Sequence, residues 1–336
     1  MEALLLITIF ISFFSTYLAM PFWIKKATQI KLLWADMHKK GHEKNVAGSG
    51  GIIVLWGFVA GVLLYIAIDI FVFKNESFHL SKILALLTVL FLSSFIGFID
   101  DLFGWQKGGL SNRSRLILIL FASIPLIAIN AGNSIITLPM FGAVNLGLLY
   151  PLLFIPIGIV GATTTYNFLA GYNGLEAGQG IIILSALSIV TFLTGDAWLS
   201  IIGLCMVASL IGFYIFNRVP AKVFPGDSLT YLVGSLIAAI AILGNIEKIA
   251  ILFFIPYIIE VILKSRGKLK KSSFGKLNED GSLEVPFKKI YGLEHLAIKF
   301  LKKIKLNGKV YEKDVVTFIH IFQILIILIV FAIYFW

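Results

Sequence analysis

Two adjacent aspartates carry the clearest chemical signal in this chain. Asp100 and Asp101 end an apolar run over residues 81–99, and no Lys or Arg stands next to them in the sequence. A charged side chain costs on the order of 3 kcal/mol at the middle of a bilayer and less at its edge, so the pair needs a physical reason. A divalent cation or a phosphate-bearing substrate would provide one.

Other carboxylate and amide side chains also stand at the ends of apolar segments. They are Asp36, Asn167, Asn173, Glu176 and Asp227. If successive segments cross a membrane, all of them fall on the same face as the aspartate pair, where they could converge on one site. Carboxylate and amide oxygens are the ligands that Mg²⁺ prefers, and it takes the remainder from phosphate and water. The pattern predicts a hard-cation site for phosphate chemistry.

The elements that position these residues are membrane helices. Hydrophobic residues make up 59% of the 336 residues and charged residues 14%, which excludes an ordinary soluble protein. A span needs roughly 20 apolar residues. The expected fold is an all-α polytopic membrane protein of about ten transmembrane helices, over residues 3–24, 48–73, 81–99, 116–132, 148–168, 179–195, 197–216, 228–244, 247–263 and 316–335.

The basic residues indicate an orientation for these helices. All but three of the 28 Lys and Arg residues fall in segments on one face, the exceptions being Lys74, Lys82 and Lys248. The positive-inside rule places the basic face in the cytoplasm and both termini outside. The net charge of +10 therefore suits membrane lipids and phosphorylated substrates on that face and does not indicate a nucleic-acid partner.

The connecting segments complete the expected architecture. We predict one integral membrane domain over residues 1–336, with cytoplasmic site-forming loops and a small outer-face hairpin within 133–147. Residues 264–315 form a long cytoplasmic loop, in which an amphipathic stretch from Leu293 to Ile304 is expected to be an interfacial helix. Cys205 is the single cysteine, so no disulfide can form within the chain.

Three sequence blocks resemble the polyprenyl-phosphate N-acetylhexosamine-1-phosphate transferases. The blocks are Gly97 to Asp101, Asn167 to Gln179 and Phe224 to Asp227. They occur in the family's order, on the predicted face, and across most of the chain. The second block reads LAGYNGLEAGQ from Leu169, which is similar to the archaeal and eukaryotic branch rather than to bacterial members.

The resemblance implies a reaction and its participants. A phosphate oxygen of dolichyl phosphate would attack the β-phosphorus of UDP-GlcNAc, giving GlcNAc-diphospho-dolichol and UMP, the first step of lipid-linked oligosaccharide assembly for N-glycosylation. Mg²⁺ would be the cofactor, with Mn²⁺ as an alternative ion. The site would face the cytoplasm from the plasma membrane of an archaeal cell, and a homodimer is compatible with the family.

The resemblance also assigns residues to roles. Asn167 and Asp227 would ligate the metal, and Asp100, Asp101 and Arg115 would form the catalytic centre. For Asp100 and Asp101 we favour orientation and metal organisation over general-base catalysis, because a phosphate monoester is already largely ionised near neutral pH. The expected substrate-binding residues are Asn173, Glu176, Phe224, Arg113, Lys40, His42, Arg266 and Lys271.

Departures from the family pattern keep alternatives open. The last cytoplasmic loop lacks the Arg-His-Arg or multi-histidine signature, and its nearest equivalents are Arg266 and the segment 268–273. In the family that loop helps to select the sugar, so another UDP-sugar such as UDP-GalNAc, or undecaprenyl phosphate as acceptor, is an alternative. A secondary transporter is a more remote one, because its polar residues would be expected near the membrane midplane.

Overall fold

A computed structural model describes residues 2–39, 44–74, 79–138 and 142–335. Its helices are α1 (Glu2–Gln29), α2 (Gly51–Phe71), α3 (Leu80–Lys107), α4 (Asn112–Ala122), α5 (Ile124–Ala128), α6 (Ile155–Tyr166), α7 (Leu175–Leu193), α8 (Ala197–Asn217), α9 (Gly226–Leu243), α10 (Glu247–Phe253), α11 (Ile255–Ser265), α12 (Leu293–Ile304) and α13 (Glu312–Phe335). A π-helical turn, Tyr150–Phe154, leads into α6. The chain is an all-α polytopic membrane protein, as predicted.

Among the described residues, seven helices are long and apolar enough to cross a bilayer, namely α1, α2, α3, α7, α8, α9 and α13. The other three predicted spans correspond to shorter helical pieces. The 116–132 segment divides between α4 and α5, the 247–263 segment divides between α10 and α11, and 148–168 contains the π-helical turn. Pro125, Pro156 and Pro256 stand at the starts of the helices after these breaks, where a missing N–H is tolerated.

The structure corrects the predicted end of the third span. The apolar run ends at residue 99, but α3 continues for two further turns to Lys107 and ends at Gly108, whose φ is 87°. Glycine adopts this left-handed conformation without strain, so it is a natural helix terminator. Asp100 and Asp101 consequently lie inside the helix, and both are buried.

The loops between the helices contain short antiparallel hairpins. Strands β1 (Leu33–Ala35) and β2 (Lys44–Ala47) pair between α1 and α2. The predicted hairpin within 133–147 is confirmed as β3 (Ile135–Leu138) paired with β4 (Gly142–Asn145). In the long loop, β5 (Lys276–Leu277) pairs with β6 (Leu283–Glu284), and the predicted amphipathic helix is confirmed as α12.

Helix α9 forms the centre of the bundle. All but its first two residues are buried, because α3, α6, α2 and α7 all pack against it. A helix that is apolar on every side has no solvent or lipid face to present. Its N-terminus, with Asp227 in the first turn, is thereby held at the point where the loops after α3 and α6 meet.

Candidate active site

A cleft of 310 Å³ opens at the N-terminal end of α9. Its lining includes six polar residues singled out from the sequence, which are Asp36, Asp101, Asn167, Asn173, Glu176 and Asp227. Phe224 also lines it. These residues come from four separate segments of the chain, so the predicted convergence of oxygen-bearing side chains is present in the folded protein.

Asp101 anchors the start of α9. Its Oδ1 accepts a hydrogen bond from the backbone N–H of Asp227 at 2.7 Å, and its Oδ2 accepts one from the N–H of Ser228 at 3.4 Å. The first N–H groups of a helix have no partner within the helix, and a carboxylate there also interacts favourably with the helix dipole. Asp101 therefore caps a helix to which it does not belong.

Two glycines allow this close crossing of α3 and α9. A Cβ at Gly97 would lie 2.3 Å from the backbone oxygen of Asp227, and a Cβ at Gly226 would lie 2.2 Å from Oδ2 of Asp101. Gly226 also has a φ of 70°, which side chains with a Cβ rarely adopt. Any larger residue at either position would separate the two helices at the floor of the cleft.

Asp100 is paired with a cation from the next helix. Its Oδ2 lies 2.7 Å from Nε of Arg115, and its Oδ1 accepts a hydrogen bond from the N–H of Leu110 at 2.6 Å. One terminal nitrogen of the same guanidinium lies 3.9 Å from Oδ2 of Asp227. Arg115 thus connects Asp100 to Asp227, and it is the positive partner that the local sequence around the aspartate pair does not contain.

Asn167 and Asp227 present oxygen atoms to the same cleft. Asn167 is the C-cap residue directly after α6, and its Oδ1 accepts a hydrogen bond from the hydroxyl of Thr230 at 3.1 Å. Thr230 is one helical turn beyond Asp227, so both residues project from the same face of α9. An amide oxygen and a carboxylate are suitable ligands for Mg²⁺ or Mn²⁺, and these two residues could hold such an ion.

Asn173 is held by acidic residues on two sides. Its Nδ2 donates to Oδ2 of Asp36 at 2.9 Å and to Oε2 of Glu312 at 3.4 Å, while its backbone N–H donates to Oε1 of Glu312 at 2.8 Å. His38 Nδ1 is 3.2 Å from that same Oε1. The first loop, the loop after α6 and the start of α13 therefore meet at a single amide.

The remaining lining residues hold the loop backbones. Glu176 accepts a hydrogen bond from the N–H of Gly171 at 2.8 Å, which ties α7 to the loop before it. Phe224 has its backbone fixed from two directions, by the oxygen of Ala47 at 2.7 Å and by the N–H of Gly50 at 2.9 Å. These two backbone hydrogen bonds position the Phe224 ring at the cleft.

Several predicted substrate-binding residues stand elsewhere. Arg113, Arg266 and Lys271 are exposed, and none of them is among the described residues that line the cleft. The Nζ atom of Lys271 lies over the ring of Phe287, 5.1 Å from its centroid. Lys40 and His42 fall outside the described residues.

The cleft also contains residues that sequence reasoning missed. They include Trp34, Ser49, Tyr172, Asn217, Thr230 and Phe274. Asn217 joins two loops, because its Oδ1 accepts from the N–H of Gly174 at 3.1 Å and its Nδ2 donates to the oxygen of Val223 at 2.9 Å. The three-residue spacing from Asp227 could have identified Thr230. No sequence pattern distinguishes the aromatic residues here from those that face lipid.

Comparison with known proteins places this arrangement in a family. The profile of glycosyl transferase family 4 matches residues 83–245, which include Asp100, Asp101, Asn167, Asn173 and Asp227. A protein of Saccharolobus solfataricus is 35% identical over 297 residues, covering 88% of each chain. It carries the provisional name UDP-N-acetylglucosamine--dolichyl-phosphate N-acetylglucosaminephosphotransferase.

Eukaryotic and bacterial proteins are also similar. The UDP-N-acetylglucosamine--dolichyl-phosphate N-acetylglucosaminephosphotransferase of Dictyostelium discoideum is 30% identical over 284 residues, covering 74% of this chain and 68% of its own. A phospho-N-acetylmuramoyl-pentapeptide-transferase of Halalkalibacterium halodurans is 29% identical over 289 residues, covering 80% of this chain and 86% of its own. The chain with its buried aspartate pair and carboxylate–amide cleft belongs to glycosyl transferase family 4.

Proposed function

We propose that the protein transfers GlcNAc-1-phosphate from UDP-GlcNAc to dolichyl phosphate, releasing UMP. The observation that carries this proposal is the cleft at the start of α9. It combines two oxygen donors suited to a divalent cation, Asn167 and Asp227, with an amide and an aromatic ring suited to a nucleobase, Asn173 and Phe224. The names of the archaeal and eukaryotic relatives support the same substrates.

The reaction exchanges one phosphoanhydride linkage for another. A new bond forms between an oxygen of the lipid phosphate and the β-phosphorus, and the bond from that phosphorus to the bridging oxygen breaks. UMP leaves with the bonding electrons. Since a phosphate monoester is largely ionised near neutral pH, no side chain has to remove a proton from it. Positioning and charge stabilisation are then the main contributions of the protein.

Mg²⁺ is the cofactor we propose, with Mn²⁺ as a substitute. Asn167 and Asp227 would hold it, because both offer hard oxygen donors. Among the described side chains, the ion-pair partner of Asp227 is Arg115, and that contact is long at 3.9 Å. When bound, the ion would offset negative charge on the pyrophosphate oxygens.

Arg115 supplies a fixed positive charge next to this position. Asp100 holds its guanidinium, and Asp101 holds the backbone on which Asp227 is mounted. We infer that the aspartate pair acts by orienting Arg115 and Asp227 rather than by taking a proton. Asn173 and Phe224 would bind uracil by hydrogen bonding and stacking.

The proposed sugar and the proposed lipid acceptor each have an alternative. A related N-acetylhexosamine substrate or undecaprenyl phosphate is the second candidate, because the bacterial pentapeptide transferase is similar over 80% of this chain. The exposed positions of Arg266 and Lys271 outside the cleft are consistent with a sugar pocket that departs from the family pattern.

The proposed setting is a membrane with the cleft on its cytoplasmic side. The shorter helices α4 to α6, α10 and α11 would complete ten spans, both termini would lie outside, and α12 would rest at the membrane interface. In an archaeal cell this is the plasma membrane. A homodimer is compatible with this arrangement.

The test is UMP release by purified protein in lipid nanodiscs. The reaction contains Mg²⁺, dolichyl phosphate and UDP-GlcNAc, and each component is omitted in turn. We expect UMP only when all three are present. Asp227→Ala should lower the rate by at least about a hundredfold, on the scale of losing one electrostatic catalytic group, while the protein still elutes as a folded species.

The controls separate the parts of the proposal. Asp314→Asn, on the first turn of α13 and away from the cleft, should retain full activity. UMP release with UDP-GalNAc but not with UDP-GlcNAc would preserve the phosphotransferase and replace the sugar. An absence of UMP with every nucleotide sugar would reject the enzyme and favour a transporter.

A further inference from the structure

A second cleft lies beside the candidate active site and has a different character. Its volume is 560 Å³, and it is formed by the end of α8, the loop that follows, and the first turns of α13. Three cationic side chains line it, Arg218, Lys222 and Lys313. No Asp or Glu is among the described residues of its wall. We call this feature the basic cleft.

The three cations have no acidic ion-pair partner among the described residues. Neither Arg218, Lys222 nor Lys313 forms an ion pair with any carboxylate in the part of the chain that the structure describes. All three are exposed. Membrane topology explains why basic residues accumulate on one face, but it does not explain why three of them converge on one concave surface without a counter-ion.

Apolar side chains continue from the basic cleft along both helices. Ile215 lines the cleft and is 41% exposed, and Ile211, one turn earlier on the same face of α8, is 42% exposed. On α13, Thr317 lines the cleft, and Ile321, one turn further on, is 52% exposed. A ligand with an anionic head and apolar chains matches this combination.

We propose that the basic cleft binds the phosphate group of an anionic membrane phospholipid, with the acyl chains lying along the exposed isoleucines of α8 and α13. Basic pockets between membrane helices commonly take such head groups. Arg218 can contact two phosphate oxygens at once through its planar guanidinium. The two lysines, whose aliphatic stems can lie along the apolar surface, add charge.

This site is separate from the proposed transfer reaction. Asn173 lies at the wall shared by the two clefts, but Arg115, Asn167 and Asp227 do not line the basic cleft. The lipid proposed here is therefore a bilayer phospholipid and not the acceptor substrate. Its binding can be measured without turnover, so loss of the transfer activity would leave the proposal intact.

The experiment compares the retention of two lipids. Native mass spectrometry is used to count phosphatidylglycerol and phosphatidylcholine bound to the protein from mixed micelles that contain equal amounts of both. The test variant is Arg218→Gln with Lys222→Gln and Lys313→Gln. The control variant is Lys288→Gln with Lys289→Gln and Lys303→Gln, which removes the same charge from the long loop.

We expect the wild type and the control to prefer phosphatidylglycerol, and the test variant to lose that preference by about tenfold or more, given the affinity that each basic residue adds near an anionic lipid. An equal preference in all three proteins would overturn the proposal. Displacement of the lipid by millimolar glycerol phosphate would also overturn it, in favour of a soluble anion. A matching rise in the KM for dolichyl phosphate in the test variant would assign the cleft to the acceptor instead.

Discussion

The Nδ2 atom of Asn173 donates to Oδ2 of Asp36 at 2.9 Å, across a separation of 137 residues in the chain. An ionised carboxylate only accepts hydrogen bonds, so this contact determines which end of the Asn173 amide faces inward. Glu312 reinforces the same orientation from α13 at 3.4 Å. No described residue donates to Oδ1, which is consequently available as an acceptor for an N–H of a ligand.

This orientation predicts a preference for uracil over cytosine, because uracil offers an N–H at its ring N3 and cytosine offers a lone pair. In Asp36→Asn the new amide can pair with either end of Asn173, so only the longer contact with Glu312 still favours this orientation. We expect UMP to bind about fivefold more weakly, the value of roughly one hydrogen bond, with a smaller change for CMP. Calorimetric titration of both nucleotides measures the ratio.

The matched control for this variant is Asp314→Asn. Asp314 lies on the first turn of α13 and pairs with Lys305. Its ratio of UMP to CMP affinity should equal that of the wild type. If Asp36→Asn weakens UMP and CMP to the same extent, Asp36 is structural and does not orient the amide.

The contact between Gly226 and Asp101 predicts a severe effect of one added methyl group. In Gly226→Ala the new Cβ would lie 2.2 Å from Oδ2 of Asp101, and the φ of 70° adds backbone strain. The cap on α9 should be lost, with a cost of about 1–3 kcal/mol from unpaired N–H groups and a matching fall in transfer rate. Melting temperature and UMP release are the measurements.

Gly147→Ala is the control that separates backbone strain from the steric clash with Asp101. Gly147 has a φ of 53°, but the space around its Cβ position is open. We expect a small loss of stability and normal activity in that variant. Equal losses in the two variants would mean that backbone conformation alone, and not the approach of α3 to α9, is responsible.

Arg115 bridges two acidic residues, and this predicts that lysine cannot replace it. The guanidinium reaches Asp100 through Nε at 2.7 Å and Asp227 through a terminal nitrogen at 3.9 Å. A single ammonium group lacks this planar, divergent geometry. Arg115→Lys should lower kcat by about tenfold or more, as expected for a misplaced charge-stabilising group, and leave UMP affinity nearly unchanged.

Arg113→Lys is the corresponding control, because Arg113 is exposed on the same helix and forms no ion pair with a described carboxylate. It should behave like the wild type. A loss of activity in Arg113→Lys that equals the loss in Arg115→Lys would support the sequence-based assignment of Arg113 to the substrate and weaken the bridging role.

Glu294 predicts a pH dependence of stability. It is fully buried at the start of α12, and burial together with the nearby carboxylate of Glu260 raises the pKa of Glu294 well above its usual range. The folded protein therefore binds a proton that the unfolded chain releases. Stability from this group is full at pH values below the ordinary pKa of Glu and is lost as the pH rises towards the folded-state pKa.

Glu294→Gln keeps the shape of the neutral acid and does not titrate. We expect its melting temperature to fall less with rising pH than that of the wild type. The corresponding difference in the slope of unfolding free energy against pH is at most about 1.4 kcal/mol per pH unit. Glu284→Gln, at an exposed site paired with Lys302, is the control. Identical pH profiles in the wild type and Glu294→Gln would show that Glu294 carries its charge when folded.

Much of the candidate site could be named from the sequence, partly from local chemistry and partly from the family resemblance. Asp101, Asn167, Asn173, Glu176, Phe224 and Asp227 were all named from the sequence and all line one cleft. The five polar residues are acidic or amide residues at or near the end of an apolar segment, where a polar group is costly without a function. Phe224 was named from the family resemblance. Arg113, Arg266 and Lys271 lie outside this cleft, and their substrate-binding roles stay predictions. Basic residues are harder to assign from sequence because they also follow membrane topology.

The sequence by itself determined the class of protein and its helical segments, because the length and hydropathy of a span follow from bilayer thickness. It also indicated which residue types could bind a cation, and the family resemblance of its motifs implied the nucleotide-binding residues. Only the tertiary structure decided how they are paired. Asp101 caps α9, Asp100 meets Arg115, and Asp36 orients Asn173, because such contacts join residues far apart in the chain and depend on how the helices cross.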